Sequence, residues 1–108
     1  MTKLVDLDPC WVADFDPEAR SHRRGGDLTI ATAQGVIFEC PKCGRHSILA
    51  WFRGRGVPAD ALPGPGRWTP SGSGFHDLTL TPSINLDTPN APSDSCRWHG
   101  WVTGGEAT

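Results

Sequence analysis

Several features that would place the chain in a familiar class are missing from its sequence. No segment approaches the roughly 20 consecutive apolar residues needed to cross a bilayer, and the first residues show no basic segment followed by an apolar run. Internal repeats, heptads and a glycine-rich dinucleotide-binding motif are also absent. We therefore expect a cytoplasmic protein with no membrane span and no secretory signal.

An excess of charge of either sign is absent as well. Ten basic and 12 acidic residues give a formal net charge of −2, which provides no general attraction to nucleic acid or to an anionic membrane. One basic cluster lies at residues 20–24, and we interpret it as solvated surface rather than as a phosphate-binding site. Nucleic acid is therefore not the expected partner.

The chain is also too short for a large core. Its 108 residues include 13 glycines and 10 prolines, which leave few positions for apolar side chains that could be buried. We expect one domain over residues 1–108, with an N-terminal extension at residues 1–27 and a Gly/Pro-rich loop at residues 53–74. A bound metal often stabilises such a chain, because the binding energy is released only when the site assembles.

The cysteines that are present indicate a metal site. Three of the four lie in two short runs, residues 40–44 and 96–100, and each run places two metal-binding side chains three positions apart. Three thiolates and one imidazole are a common ligand set for structural zinc. The predicted zinc ligands are Cys40, Cys43, Cys96 and His99.

Other interpretations of the cysteines remain open at this point, namely two disulfides, an iron–sulfur centre, or no metal. A reducing cytoplasm disfavours disulfides, and the first run begins Cys-x-x-Cys where Rieske-type proteins have Cys-x-His. His46 lies three residues after Cys43, the spacing found in the second run, so it could replace one of the cysteines. Cys10 lies outside both runs and is interpreted as a buried apolar thiol.

Short runs rich in β-branched and aromatic residues predict a mainly β fold. Four strands are expected, at residues 28–32, 36–39, 48–52 and 75–81. One helical turn is expected at residues 16–20, capped by Asp16, and Pro82 should place the last strand at a sheet edge or in a bend. The predicted fold is a small antiparallel, zinc-ribbon-like sheet, closed by one Cys₃His zinc site and carrying long Gly/Pro-rich loops.

Polar residues in the fourth predicted strand and just after it could support hydrolysis. A serine nucleophile needs a nearby base and a group that orients that base, and His76, Asp77 and Ser83 supply these residue types. We predict these three residues as the catalytic group, although serines near a histidine also form turns and caps. If His99 does not bind the metal, it is a competing candidate for the base.

Three sequence blocks, at residues 38–44, 78–85 and 96–101, occur in this order. Together they resemble a family of small proteins from bacteria and their phages. Some members are encoded beside ubiquitin-like proteins and their activating enzymes, and a peptidase role has been suggested for them. The resemblance implies zinc binding, and it points to a ubiquitin-like protein as substrate or partner.

Two functional hypotheses follow from these observations. The first is a peptidase that acts on a ubiquitin-like or other protein substrate through Ser83 and its neighbours. The second is a non-catalytic, zinc-stabilised module, such as a phage or defence accessory protein, that binds another protein through Trp68 and the loop at residues 53–74. Trp68 itself could either bind a partner or fold back over the core.

Overall fold

Two antiparallel sheets make up the structure, a computed structural model that describes residues 2–19, 21–61, 66–85 and 97–108. In this part of the chain the strands are β1 (Thr2–Lys3), β2 (Cys10–Asp16), β3 (Ser21–Arg24), β4 (Gly35–Glu39), β5 (Ser47–Trp51), β6 (Thr69–Ser71), β7 (Thr79–Asn85), β8 (His99–Thr103) and β9 (Glu106–Ala107). The larger sheet has the order β1-β9-β8-β7-β6, and the smaller has the order β3-β2-β4-β5. A short 3-10 helix covers Leu4–Leu7. The predicted mainly β, antiparallel fold is confirmed.

One large apolar cluster contains residues of both sheets. Val36 and Phe38 contribute to it from β4 of the smaller sheet, and Leu80 and Ile84 contribute from β7 of the larger sheet. Successive side chains of a strand point to opposite faces, so Ile37 joins a second cluster on the other side of β4. This central strand is therefore buried on both faces, which accounts for its unbroken run of apolar residues.

The residues predicted as an N-terminal extension are part of both sheets. β1 pairs with β9 in the larger sheet, and β2 lies between β3 and β4 in the smaller one. Trp11 of β2 stacks on Phe75, with ring centroids 4.3 Å apart. The expected helical turn is the reverse turn between β2 and β3, where the carboxylate of Asp16 accepts hydrogen bonds from the N–H groups of Glu18 and Ala19.

The strand predicted at residues 28–32 is wrong, because this segment forms a turn. The N–H of Ala33 donates to the carbonyl of Thr29 at 2.8 Å. Arg55 then satisfies carbonyl groups that a neighbouring strand would otherwise bind: its guanidinium donates to the carbonyls of Ile30 and Ala33 at 3.0 and 2.6 Å. The β-branched composition of the segment is therefore outweighed by a tertiary contact.

The strands predicted on either side of the first cysteine run are confirmed as β4 and β5. They pair in continuous register from Gly35 opposite Trp51 to Glu39 opposite Ser47. Residues 40–46 connect them at the end of this hairpin. The hairpin therefore presents the cysteine run at one end of the smaller sheet.

The Gly/Pro-rich segment at residues 53–74 is partly ordered by Trp68. The N–H of Trp68 donates to the carbonyl of Trp51 at 3.0 Å, and the carbonyl of Trp68 accepts from the N–H of Arg53 at 2.7 Å. The Trp68 side chain is half-buried against the large cluster, and β6 follows directly. Of the two roles left open for Trp68, the structure shows the one in which it folds back over the core.

The pairing of β7 with β8 contains an irregularity. Leu80 is opposite Val102 and Ile84 is opposite Gly100, so the three residues 81–83 on β7 face the single residue Trp101 on β8. Such a bulge bends a strand and re-aims its side chains. Pro82 lies in this bulge, in the middle of β7. Of the two placements predicted from its missing N–H, a sheet edge or a bend, the edge is wrong, because β7 lies between β6 and β8.

Gly100 allows β8 to approach its neighbours closely. A Cβ atom at this position would overlap the carbonyl oxygen of Thr108 and would lie 2.5 Å from the indole of Trp98. We expect Gly100→Ala to destabilise the fold by about 1–3 kcal/mol through overpacking, measured as a lower Tm in thermal unfolding. Gly26→Ala is the control, since nothing lies within 4 Å of its Cβ position. An unchanged Tm for Gly100→Ala would contradict this packing.

Candidate functional site

Ser83 lies on the bulge of β7, where its side chain is half-buried. Its Oγ is 3.3 Å from Nε2 of His99 on the neighbouring strand β8. Its backbone carbonyl accepts a hydrogen bond from Nε1–H of Trp68, also at 3.3 Å. The serine is therefore held at its main chain by the core tryptophan and faces an imidazole with its hydroxyl.

His99 is the first residue of β8 and is exposed to solvent. Its ring stacks on that of Trp101, with centroids 5.5 Å apart and an angle of 25° between the ring planes. The two residues are two positions apart on one strand, so both side chains project from the same face. Gly100 between them faces inward, where a side chain would meet Trp98.

The contacts of His99 within the described residues are made to a hydroxyl and an aromatic ring. Ser83 and Trp101 are the partners that the structure shows for its imidazole, and no carboxylate of the described residues lies within hydrogen-bonding distance of it. A serine beside a histidine has the two components of nucleophilic catalysis, a nucleophile and a base. Among the described residues, the ring that contacts the His99 imidazole is the indole of Trp101.

His76 and Asp77, which the sequence analysis grouped with Ser83, lie together in the turn before β7. Nε2 of His76 is 3.9 Å from Oδ1 of Asp77, and the His76 side chain is 73% exposed. The Asp77 carboxylate accepts hydrogen bonds from the N–H groups of Ser73 and Gly74 and from the Ser73 hydroxyl, each at 2.9 Å. Asp77 thus closes a loop, and the imidazole found beside Ser83 is that of His99.

A second group of chemically active side chains lies in the turn between β4 and β5. The potential ligand atoms of Cys40, Cys43 and His46 all lie within 4.8 Å of one another, close enough to hold a metal ion. Gly44 closes this turn: its N–H donates to the Cys40 carbonyl at 2.9 Å, and its φ of 67° is a backbone conformation that favours glycine.

Backbone contacts also order the turn. The N–H of Arg45 points to Sγ of Cys43 at 3.5 Å. The N–H of Cys40 donates to the carbonyl of His46 at 2.9 Å, which brings the two ends of the turn together. Two thiols and an imidazole of the described residues therefore converge within one turn.

The structure brings two of the four predicted metal ligands together and places a third, His99, elsewhere. Cys40 and Cys43 are brought together as expected, and the histidine beside them is His46, which the spacing had suggested as a replacement ligand. His99 instead contacts Ser83. Cys96 lies outside the described residues. Because the two histidines follow a cysteine at the same spacing, the sequence alone could not show which of them lies beside Cys40 and Cys43.

The remaining candidates have structural contacts. Cys10 packs against the smaller apolar cluster, as expected of an apolar thiol, but it is half-buried rather than buried. Arg23 in the basic cluster binds two acids, Asp14 at 2.6 Å and Asp27 at 2.8 Å, and its hydrogen bonds lower the pKa of Asp27. Part of the basic cluster is therefore neutralised within the protein, in agreement with its interpretation as surface.

The fold and the site together define a small β protein with a serine–histidine pair and a separate Cys/His turn. A sequence model of the family described as bacterial ubiquitination-like system serine protease (BubE) matches residues 12–108, and the chain belongs to this family. The membership agrees with the resemblance to proteins encoded beside ubiquitin-like genes. Searches of curated proteins and of solved structures each found no match.

The structure also bears on the membrane prediction. Among the described residues, none belongs to a helix with the length and apolar character required to span a bilayer. The cytoplasmic location stays a prediction.

The carboxylate of Asp77 gives a testable pH effect. Its hydrogen bonds from the Ser73 and Gly74 N–H groups and the Ser73 hydroxyl lower its pKa from the ordinary value of 3.8. The ionised group therefore stabilises the fold above about pH 4, and this stabilisation is lost as the pH falls through the lowered pKa. We expect Asp77→Asn to reduce the Tm at pH 7 and to match wild type progressively more closely at acidic pH.

The control for this experiment is Asp60→Asn, which removes an exposed carboxylate from a different turn. It should change the Tm little at either pH. A Tm deficit of Asp77→Asn that stays constant down to pH 2 would show that the charge of Asp77 does not stabilise the loop.

Proposed function

We propose that the protein is a serine peptidase in which Ser83 is the nucleophile and His99 is the general base. The observation that carries the proposal is the 3.3 Å distance between Ser83 Oγ and His99 Nε2, in a chain of a serine protease family. Nucleophile–base pairs are often at the long end of hydrogen-bonding distance in the absence of substrate. No residue of the turn at His76 is needed for this step.

The pair supports an ordinary acyl-transfer reaction. With the imidazole proton on Nδ1, Nε2 accepts the proton of the Ser83 hydroxyl while Oγ bonds to the substrate carbonyl carbon. The same proton then passes from Nε2 to the leaving amine as the carbon–nitrogen bond breaks. Water, deprotonated by His99, releases the acyl group and regenerates the Ser83 hydroxyl.

The position of the pair favours a protein substrate. His99 and Trp101 are exposed on the outer face of the larger sheet, and Ser83 is reached from that face, so an extended polypeptide can approach without entering a closed cavity. The family description places its members in a bacterial ubiquitination-like system. We therefore propose a ubiquitin-like protein, or a conjugate of one, as the substrate.

Substitution of the pair tests the proposal directly. We expect Ser83→Ala and His99→Ala each to lower cleavage of a ubiquitin-like fusion substrate by at least about 1,000-fold, because the nucleophile or its base is removed. Both residues lie at or near the surface, so folding should be retained. His76→Ala is the matched control and should keep near wild-type activity. The measurement is cleavage rate, with Tm recorded for each variant.

The same variants distinguish the alternative of a non-catalytic binding module. Covalent labelling of wild type by a fluorophosphonate, which reacts with activated serines, should be lost in Ser83→Ala. If wild type is neither labelled nor able to cleave the fusion, while still binding it, the binding-module hypothesis replaces the peptidase. If His76→Ala abolishes activity and His99→Ala does not, the base has been assigned to the wrong histidine.

We further propose that the turn between β4 and β5 holds zinc through Cys40, Cys43 and His46, with Cys96 as a candidate fourth ligand. This set keeps the Cys₃His composition expected from the sequence, and a zinc ion with four protein ligands has no open position for water. The metal would then stabilise the hairpin. The hydrolytic chemistry is carried by Ser83 and His99, which belong to the other sheet.

Metal content tests this second proposal. We expect His46→Ala to lower bound zinc, measured by elemental analysis of purified protein, from about one ion per chain to a substoichiometric amount, and to lower the Tm because metal binding stabilises the fold. His99→Ala should leave the zinc content unchanged. Loss of zinc in His99→Ala with full retention in His46→Ala would restore the ligand set predicted from the sequence.

A further inference from the structure

Trp101 is an exposed aromatic side chain next to the proposed catalytic pair. The residue is 53% exposed. The ring lies nearly parallel to the imidazole of His99, and the two ring centroids are 5.5 Å apart. The ring therefore limits the orientations that the imidazole can adopt.

Two hydrogen bonds hold the main chain of Trp101. Its N–H donates to the carbonyl of Thr108 at 3.2 Å, and its carbonyl accepts from the N–H of Thr108 at 3.0 Å. On its other side, Trp101 faces the bulge that carries Ser83. The backbone of Trp101 is therefore hydrogen-bonded to Thr108 on one side and faces β7 on the other.

A histidine base needs a group that orients it. In the common serine–histidine–acid arrangement, a carboxylate on Nδ1 fixes the ring and stabilises the imidazolium that forms. No carboxylate of the described residues contacts His99, whereas a stacked indole does. The electron-rich face of an indole attracts a cation, so stacking can supply both orientation and charge stabilisation.

We propose that Trp101 is a positioning residue, which orients the His99 imidazole by stacking and stabilises its protonated form. This inference rests on the proposed function, in which His99 is the base. It assigns Trp101 an effect on the chemical step that does not depend on contact with the substrate.

Three substitutions at one position test the assignment. Trp101→Leu removes the aromatic face and should lower kcat between about 10- and 100-fold through misorientation of the base, with KM changed less than about twofold. Trp101→Phe retains a stacking face and should recover most of the activity, to within about threefold of wild type. Val5→Ala, which alters another exposed apolar side chain, is the control and should not change kcat.

The rate of labelling by a small fluorophosphonate provides a second readout, because this reagent makes no extended contacts. It should fall in Trp101→Leu in parallel with kcat and recover in Trp101→Phe, with similar Tm values throughout. A raised KM with an unchanged labelling rate would overturn the inference and make Trp101 a substrate contact. If wild type and Ser83→Ala label equally poorly, it is the proposed peptidase function that fails.

Discussion

The burial of β7 and β8 against the shared apolar cluster is the constraint on which the proposed active site depends. Leu80, Ile84 and Val102 are each almost fully buried, so these positions of the two strands must point into the apolar cluster. β7 has two more residues than β8 between these points, and the excess is accommodated by the bulge. The approach of the Ser83 hydroxyl to the His99 imidazole therefore follows from core packing and from the bulge that it requires.

The two chemically active groups are supported by different sheets. The Cys/His turn closes the β4–β5 hairpin in the smaller sheet, and the serine–histidine pair lies across β7 and β8 in the larger one. Trp68 connects them physically: its main chain pairs with the segment after β5, while its indole donates to the carbonyl of Ser83. Stability gained in the Cys/His turn can therefore reach Ser83 through packing.

Local patterns in the sequence were sufficient to find the β fold, the β4–β5 hairpin and the pair Cys40 and Cys43. Each depends on residues that are neighbours along the chain. The turn at residues 28–32 could not be predicted in this way, because its carbonyls are bound by Arg55, more than 20 residues away. Ser83 was recognised as a candidate nucleophile, but its distance from His99 depends on a bulge that no spacing reveals. His46 follows Cys43 at the same spacing as His99 follows Cys96. The sequence therefore could not show that His46 lies beside Cys43 while His99 contacts Ser83.

Gly100 has a consequence for how such a site can be found in other sequences. Its neighbours on β8 both project outward, while its own position is occupied by the carbonyl of Thr108 and the ring of Trp98. A relative with the same backbone is thus restricted to glycine between the histidine and the aromatic residue that stacks on it. The short distance between the Ser83 and His99 side chains and the stacking of His99 on Trp101 therefore depend on a residue without a side chain at position 100.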